Sequence, residues 1–131
     1  MSDKPKITDS HCHLDFPDFN DDLSEIINNA LQNGVCRMVT ICTRLKNEPL
    51  VRKISEDYKA VYYAAGNHPM SVSSEPMANF NELISLSKHP KFIAIGETGL
   101  DYYYTSETAE AQKKSLETVS YTHLRAHETH L

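Results

Sequence analysis

Strand, polar loop and helix follow one another four times in this chain, and that alternation limits the fold more than any other feature. The first β-branched run is residues 6–10. A helical pattern over residues 18–33 follows, in which Leu23, Ile26, Ile27, Ala30 and Leu31 share one face. Asp18 or Asn20 can cap its start, and Gly34 suits the left-handed residue that ends it. Residues 35–42 read as a buried strand, with Val35, Val39 and Ile41 supplying β-branched bulk. Pro49 fits the first turn of a second helix, whose apolar face is Leu50, Val51, Ile54 and Tyr58. The third unit pairs a strand at residues 60–65 with a helix turning Met77, Phe80, Leu83 and Ile84 inward. The fourth pairs a strand at residues 92–95 with the acidic-capped stretch 106–118, which begins a fourth helix.

Strands that alternate with helices pair in parallel through right-handed crossovers, and near-continuous apolar strands agree with a sheet covered on both faces. Two architectures fit: an open doubly wound sheet, and part of a (β/α)8 barrel. No glycine-rich phosphate loop follows the first strand, which weakens the dinucleotide-binding version. Polar residues cluster instead where each strand ends, the face that carries the active site in a barrel. The barrel is the preferred reading.

Composition narrows the function. With 40% apolar and 24% charged residues the chain is an ordinary globular protein. No apolar run approaches the roughly 18 residues of a membrane helix, and residues 1–6 lead into no signal-peptide core. A soluble, cytoplasmic protein without membrane contact is expected. Thirteen basic against 18 acidic residues give a net charge of −5, the wrong sign for a sequence-independent nucleic-acid binder. Contact with nucleic acid would have to be local, through a metal or a small basic rim. Cys12, Cys36 and Cys42 are odd in number and sit in apolar or motif contexts, so a disulfide framework is not expected.

Three motifs carry chemistry. His11 and His13 end the first strand, and residues two apart on a strand point to one face, so both imidazoles can meet one metal ion. A nearby carboxylate such as Asp15 could hold the second ring nitrogen. Gly66-Asn67-His68-Pro69 closes the third strand and presents His68 from a stiff loop. Glu97 lies between Gly96 and Gly99 just past the fourth strand, where a carboxylate meets a cation or suffers desolvation. Asp101 and Tyr102 to Tyr104 follow at the rim, where aromatic faces can stack a base or simply line the mouth. Taken alone, each motif also reads blandly: a surface histidine pair, an exposed turn histidine, a solvated loop acid. Their shared place at successive strand ends favours the metal reading. A mixed His and carboxylate set suits Zn, Mn or Mg, with activation of a water and polarisation of a phosphoryl or acyl oxygen as the chemistry.

The order His11-x-His13, Gly66-x-His68-Pro69 and Gly96-Glu97-Thr98-Gly99-Leu100-Asp101-Tyr102 resembles the TatD family of metal-dependent hydrolases, within the amidohydrolase-like barrels. The resemblance spans residues 7–118. It implies a (β/α)8 barrel, two divalent cations and hydrolysis of phosphodiester bonds, with DNA as substrate. It makes His11 and His13 metal ligands and Glu97 a catalytic ligand able to bridge two metals. It places His68 at the substrate end of the site as a catalytic and substrate-binding group, with Asp101 and Tyr102 on the substrate side. The family's site also takes a histidine after the fifth strand, another after the sixth and an aspartate near the eighth, and none has a counterpart here. A whole barrel needs about 250 residues, so the chain is expected to be its N-terminal half, about four βα units, and inactive alone.

Residues 119–131 break the pattern. They carry His123, His127 and His130 without an apolar stripe, and are expected to form a non-family tail. Their sequence resembles translated vector sequence joined to a truncated frame. An exposed end and a set of replacement metal ligands are the other two readings. Two functional alternatives also stand: a metal-dependent amidase or deacylase barrel, and a non-catalytic fragment that binds metal through His11 and His13.

Overall fold

The computed structural model of the chain describes residues 5–128. Strand β1 (Ile7–Cys12), helix α1 (Leu23–Gln32), β2 (Val35–Cys42), α2 (Glu48–Asp57), β3 (Val61–Ala65), α3 (Phe80–Ser87), β4 (Phe92–Ile95) and α4 (Ala109–Glu128) follow in that order. The four strands form one sheet in the order β1-β2-β3-β4, and every pairing is parallel. This is a partial (β/α)8 barrel, with neighbours in sequence as neighbours in space. Among the described residues no helix is long and apolar enough to cross a membrane.

Two of the strands match the boundaries read from the sequence, and several other limits move for identifiable reasons. Residues 17–19 form a 3-10 turn begun by Pro17, so α1 starts at Leu23 rather than near Asp18. Asn79 caps α3 by accepting the Glu82 N–H at 2.9 Å, which leaves Met77 outside the helix and exposed. Gly34, at φ 95°, ends the α1 connection in the left-handed region that glycine adopts without strain. Strand β1 runs to Cys12, so His11 stands on the strand and His13 one residue past it.

Helices cover one face of the sheet. Leu14, Ile27, Met38, Ile54 and Val61 pack together there, and Cys42, Val51, Tyr63 and Ala65 form a second cluster beside them. On alternate strand positions Val39, Ile41 and Ala64 make a cluster drawn from strands alone, as the inner layer of a barrel would. Glu48 is buried on α2 and accepts the Tyr63 hydroxyl at 2.9 Å, with Arg52 Nε at 3.5 Å, so a helix and a strand are tied by a satisfied polar contact. Burial and the Glu48 carboxylate together push the Tyr63 hydroxyl well above the usual phenol range.

Helix α4, read as beginning in residues 106–118, starts at Ala109 and runs to Glu128. Gln112, Ser115, Val119 and Thr122 are buried along one of its faces, and Val119 packs with Ala78 and Leu83. Beyond Thr118 the buried face continues through Val119 and Thr122 alone among the residues whose side chains are described, too few for apolar periodicity to reveal.

Register aligns the strand ends. Cys12 pairs with Thr40, Cys42 with Ala65, and Ala65 with Ile95. The residues just past β1, β3 and β4 therefore emerge on one edge, where the site is built.

Candidate metal centre

Beyond the strands, backbone hydrogen bonds continue the ladder into the loops. Gly66 N–H donates to Cys42 C=O at 3.3 Å, His68 N–H to Thr43 C=O at 2.8 Å, and Gly96 N–H to Ala65 C=O at 3.0 Å. The turn after His13 is pinned by Leu14 N–H, which donates to the buried Thr40 hydroxyl at 3.0 Å. The three motifs are thus held by backbone geometry and not by side-chain contacts alone.

These constraints bring His11, His13 and Glu97 together, with ligand atoms that all lie within 4.8 Å of one another. His11 Nε2 stands 3.8 Å from Glu97 Oε1, and His68 Nε2 faces the same oxygen at 4.0 Å. The rings of His11 and His13 meet edge to face at 5.0 Å, and Phe16 stacks on His13 at 4.7 Å. Gly66 makes the Glu97 position accessible. A Cβ at Gly66 would stand 2.5 Å from the Glu97 carbonyl oxygen and 2.8 Å from the Gly96 carbonyl carbon.

The donor types suit a divalent cation. Two donors at about 2.1 Å from a shared ion stand at most about 4.2 Å apart, so the 3.8 Å pair suits one ion as it lies. The orientation of His13 fits as well. Its Nδ1 lies 3.2 Å from the carbonyl oxygen of Ile41, which can only accept, so Nδ1 carries the proton and Nε2 keeps its lone pair. The acceptor is therefore a backbone carbonyl of β2 and not Asp15, which the sequence suggested. Asp15 Oδ1 is buried without a hydrogen-bond partner, and burial raises its carboxyl above the usual range despite its own backbone hydrogen bond and the nearby His13.

His68 has the opposite arrangement. Its Nδ1 accepts the Met70 N–H at 3.1 Å, so in the neutral ring the proton sits on Nε2, the atom that faces Glu97. Asn67, buried next to it, accepts the Leu45 N–H and donates to the Pro76 carbonyl, locking the loops after β2 and β3 together. Nothing in its motif position signalled that role beyond adjacency to His68.

Asp101 and Tyr102 lie further along the β4 loop. Asp101 Oδ1 accepts the Tyr103 N–H at 2.9 Å, and the Asp101 backbone is held by Gln112 of α4, a residue the sequence did not single out. Tyr102, Tyr103 and Tyr104 are exposed, and the last two rings meet edge to face at 4.9 Å. All three cysteines are free. Burial pushes the Cys12 and Cys42 thiols up to about 12.

The sequence profile described as TatD related DNase matches residues 8–122. The chain belongs to that family. It is 34% identical over 116 residues to the uncharacterized metal-dependent hydrolase BU355 of Buchnera aphidicola, an alignment covering 82% of this chain and 44% of that protein. It is 29% identical over 97 residues to the 3′-5′ ssDNA/RNA exonuclease TatD of Shigella flexneri, covering 74% of this chain and 37% of that protein. The crystal structure of YjjV, a TatD homologue from Escherichia coli, superposes with a TM-score of 0.73 at 26% identity, over 88% of this chain and 44% of that one. The chain thus spans under half the length of the TatD-family relatives it matches.

The match ends inside α4, and so does the boundary drawn at residues 118 and 119. Among the described residues, the one group of His, Cys, Asp and Glu side chains placed to hold an ion is His11, His13 and Glu97. His123 is exposed on α4 and outside that group. The side chain of His127 and all of His130 lie outside the described residues.

Proposed function

We propose that this chain supplies the His-His-Glu part of a metal centre that hydrolyses phosphodiester bonds in DNA, as a TatD-like deoxyribonuclease. The observation that carries the reading is the pair of opposed imidazole tautomers. His13, grouped with His11 and Glu97, keeps its lone pair on Nε2, while His68 turns an N–H toward the Glu97 carboxylate. One ring suits a cation, and the other suits an oxygen of the substrate.

Two divalent cations, Mn or Zn before Mg given the imidazoles, would be held by His11, His13 and Glu97 together with ligands from outside this chain. Bound there, they supply a Lewis acid for the phosphoryl oxygen and promote ionisation of the attacking water. Glu97 would serve these ions through its carboxylate oxygens. His68 offers its Nε2–H as a hydrogen-bond donor to a phosphoryl oxygen of the substrate, and the Met70 N–H keeps the ring in that orientation. On the substrate side Tyr102, Tyr103 and Tyr104 offer exposed rings on which unpaired bases stack, and Asp101 shapes the turn that presents them. The name of the Shigella relative, a single-strand exonuclease, supports a nucleic-acid substrate.

The test uses a protein extended to the whole length of the relatives and a single-stranded DNA oligonucleotide. Expected are hydrolysis that requires added metal and stops with EDTA, and a loss of about a hundredfold or more in His68→Ala with metal binding retained. Turnover of an amide panel with none of DNA would contradict the phosphodiester reading and leave the amidase in its place.

A further inference from the structure

Glu97 reaches the metal centre from a segment, residues 96–105, that has no helix or strand of its own. Besides the hydrogen bond from Gly96 N–H to the Ala65 C=O, two contacts tie that segment down. One is the approach of the Glu97 carbonyl to Gly66. The other is a clamp from α4, in which Gln112 Oε1 accepts the Asp101 N–H at 2.7 Å and Gln112 Nε2 donates to the Asp101 C=O at 2.8 Å. The second hydrogen of Nε2 goes to the Thr108 hydroxyl at 3.1 Å. Gln112 is completely buried, so its amide is spent within the protein. Gly99 accommodates it, because a Cβ there would stand 2.8 Å from Gln112 Oε1.

We propose that Gln112 is a positioning residue for Glu97, holding the β4 loop so that the carboxylate faces His11 and His13. The inference rests on the reading of Glu97 as a metal ligand. The clamp needs one acceptor and one donor at a fixed reach from α4. Glutamine supplies both, methionine supplies neither at similar volume, and glutamate supplies both only when protonated. A clamp role therefore predicts a pH-dependent rescue that a simple packing role would not give.

The experiment is titration of the full chain with Mn2+, comparing wild type, Gln112→Met and Gln112→Glu, with amide exchange at Asp101 followed by NMR. Gln112→Met is expected to speed Asp101 exchange and to weaken Mn2+ binding by about tenfold or more, the scale of outer-sphere losses at metal sites. Gln112→Glu is expected to approach wild-type affinity, compared at equal pH, near about pH 6, and to fall behind as the buried carboxyl ionises toward about pH 8. If Gln112→Met does not fold, the Gln112→Glu series decides. A folded Gln112→Met chain that binds Mn2+ as wild type does would overturn the inference. So would a Gln112→Glu chain whose affinity relative to wild type stays constant across that range. Either result overturns the inference alone, whereas a wild-type chain that binds no Mn2+ overturns the metal reading of Glu97 as well.

Discussion

His13 Nδ1 lies 3.2 Å from the carbonyl oxygen of Ile41, across the β1–β2 pairing. That contact sets which nitrogen of His13 is left for a cation, and parallel register sets the contact. Met70 N–H does the reverse to His68 by donating to its Nδ1 at 3.1 Å. The two rings should therefore hold opposite neutral tautomers in the metal-free protein. Long-range nitrogen–proton NMR correlations at a pH where both rings are neutral should show Nδ1 protonated in His13 and Nε2 protonated in His68. The same tautomer in both would refute this division of roles.

Gly66 is the tightest point between β3 and the Glu97 loop. Alanine there would place its Cβ 2.5 Å from the Glu97 carbonyl, and neither partner is a flexible side-chain end. Gly66→Ala should cost about 1–3 kcal/mol in denaturant unfolding, the range for overpacked sites, and weaken Mn2+ binding by displacing Glu97. Unchanged affinity in the folded variant would show that the close approach does not position the carboxylate.

Cys42 is buried with its thiol pushed up to about 12, while Cys36 is exposed. Iodoacetamide near pH 8 should label Cys36 in the native chain, leave Cys42 untouched and reach all three cysteines after unfolding. The raised Cys42 pKa also has a sign. The folded state keeps a proton that the unfolded state releases near its ordinary 9.0, so this contribution to stability is intact below about 9 and is lost as pH rises toward about 12. Cys42→Ser should flatten that alkaline slope. An identical slope in the variant would remove Cys42 from the account.

Glu48 is buried on α2 with the Tyr63 hydroxyl and Arg52 as its partners. Tyr63→Phe removes the shorter contact and leaves a buried carboxylate short of a donor. The expected loss is about 1–3 kcal/mol in denaturant unfolding, with little change in metal binding. A loss below a few tenths of that would mean Arg52 alone satisfies Glu48.

Hydrophobic pattern made some of this fold legible and hid the rest. Strands β2 and β4 could be read to the residue because their runs are apolar and bounded by turn residues. The start of α1 could not, since Pro17 begins a separate turn before the helix. Leu31 and Leu50 share helical faces with buried neighbours yet stay about half exposed, because helical spacing places a side chain on a stripe without saying how wide the cover is. The buried face of α4 runs through Gln112, Ser115 and Thr122, residue types that ordinarily signal a solvated helix. In the candidate site, the convergence of His11, His13, His68 and Glu97 was legible from type and position. The Ile41 carbonyl and the Gln112 clamp were not, because a backbone acceptor has no residue identity and a polar helix residue announces no partner. Both are consequences of register and packing.

The central claim is that His11, His13 and Glu97 form a metal-binding set within this chain. Calorimetric titration of the purified chain with Mn2+ or Zn2+, beside Glu97→Gln and His13→Gln, tests it most directly. Saturable binding by the wild type is predicted, weakened about tenfold or more in each variant while the far-ultraviolet dichroism stays unchanged. A wild-type chain without saturable binding, or folded variants that bind as well as it does, would contradict the account.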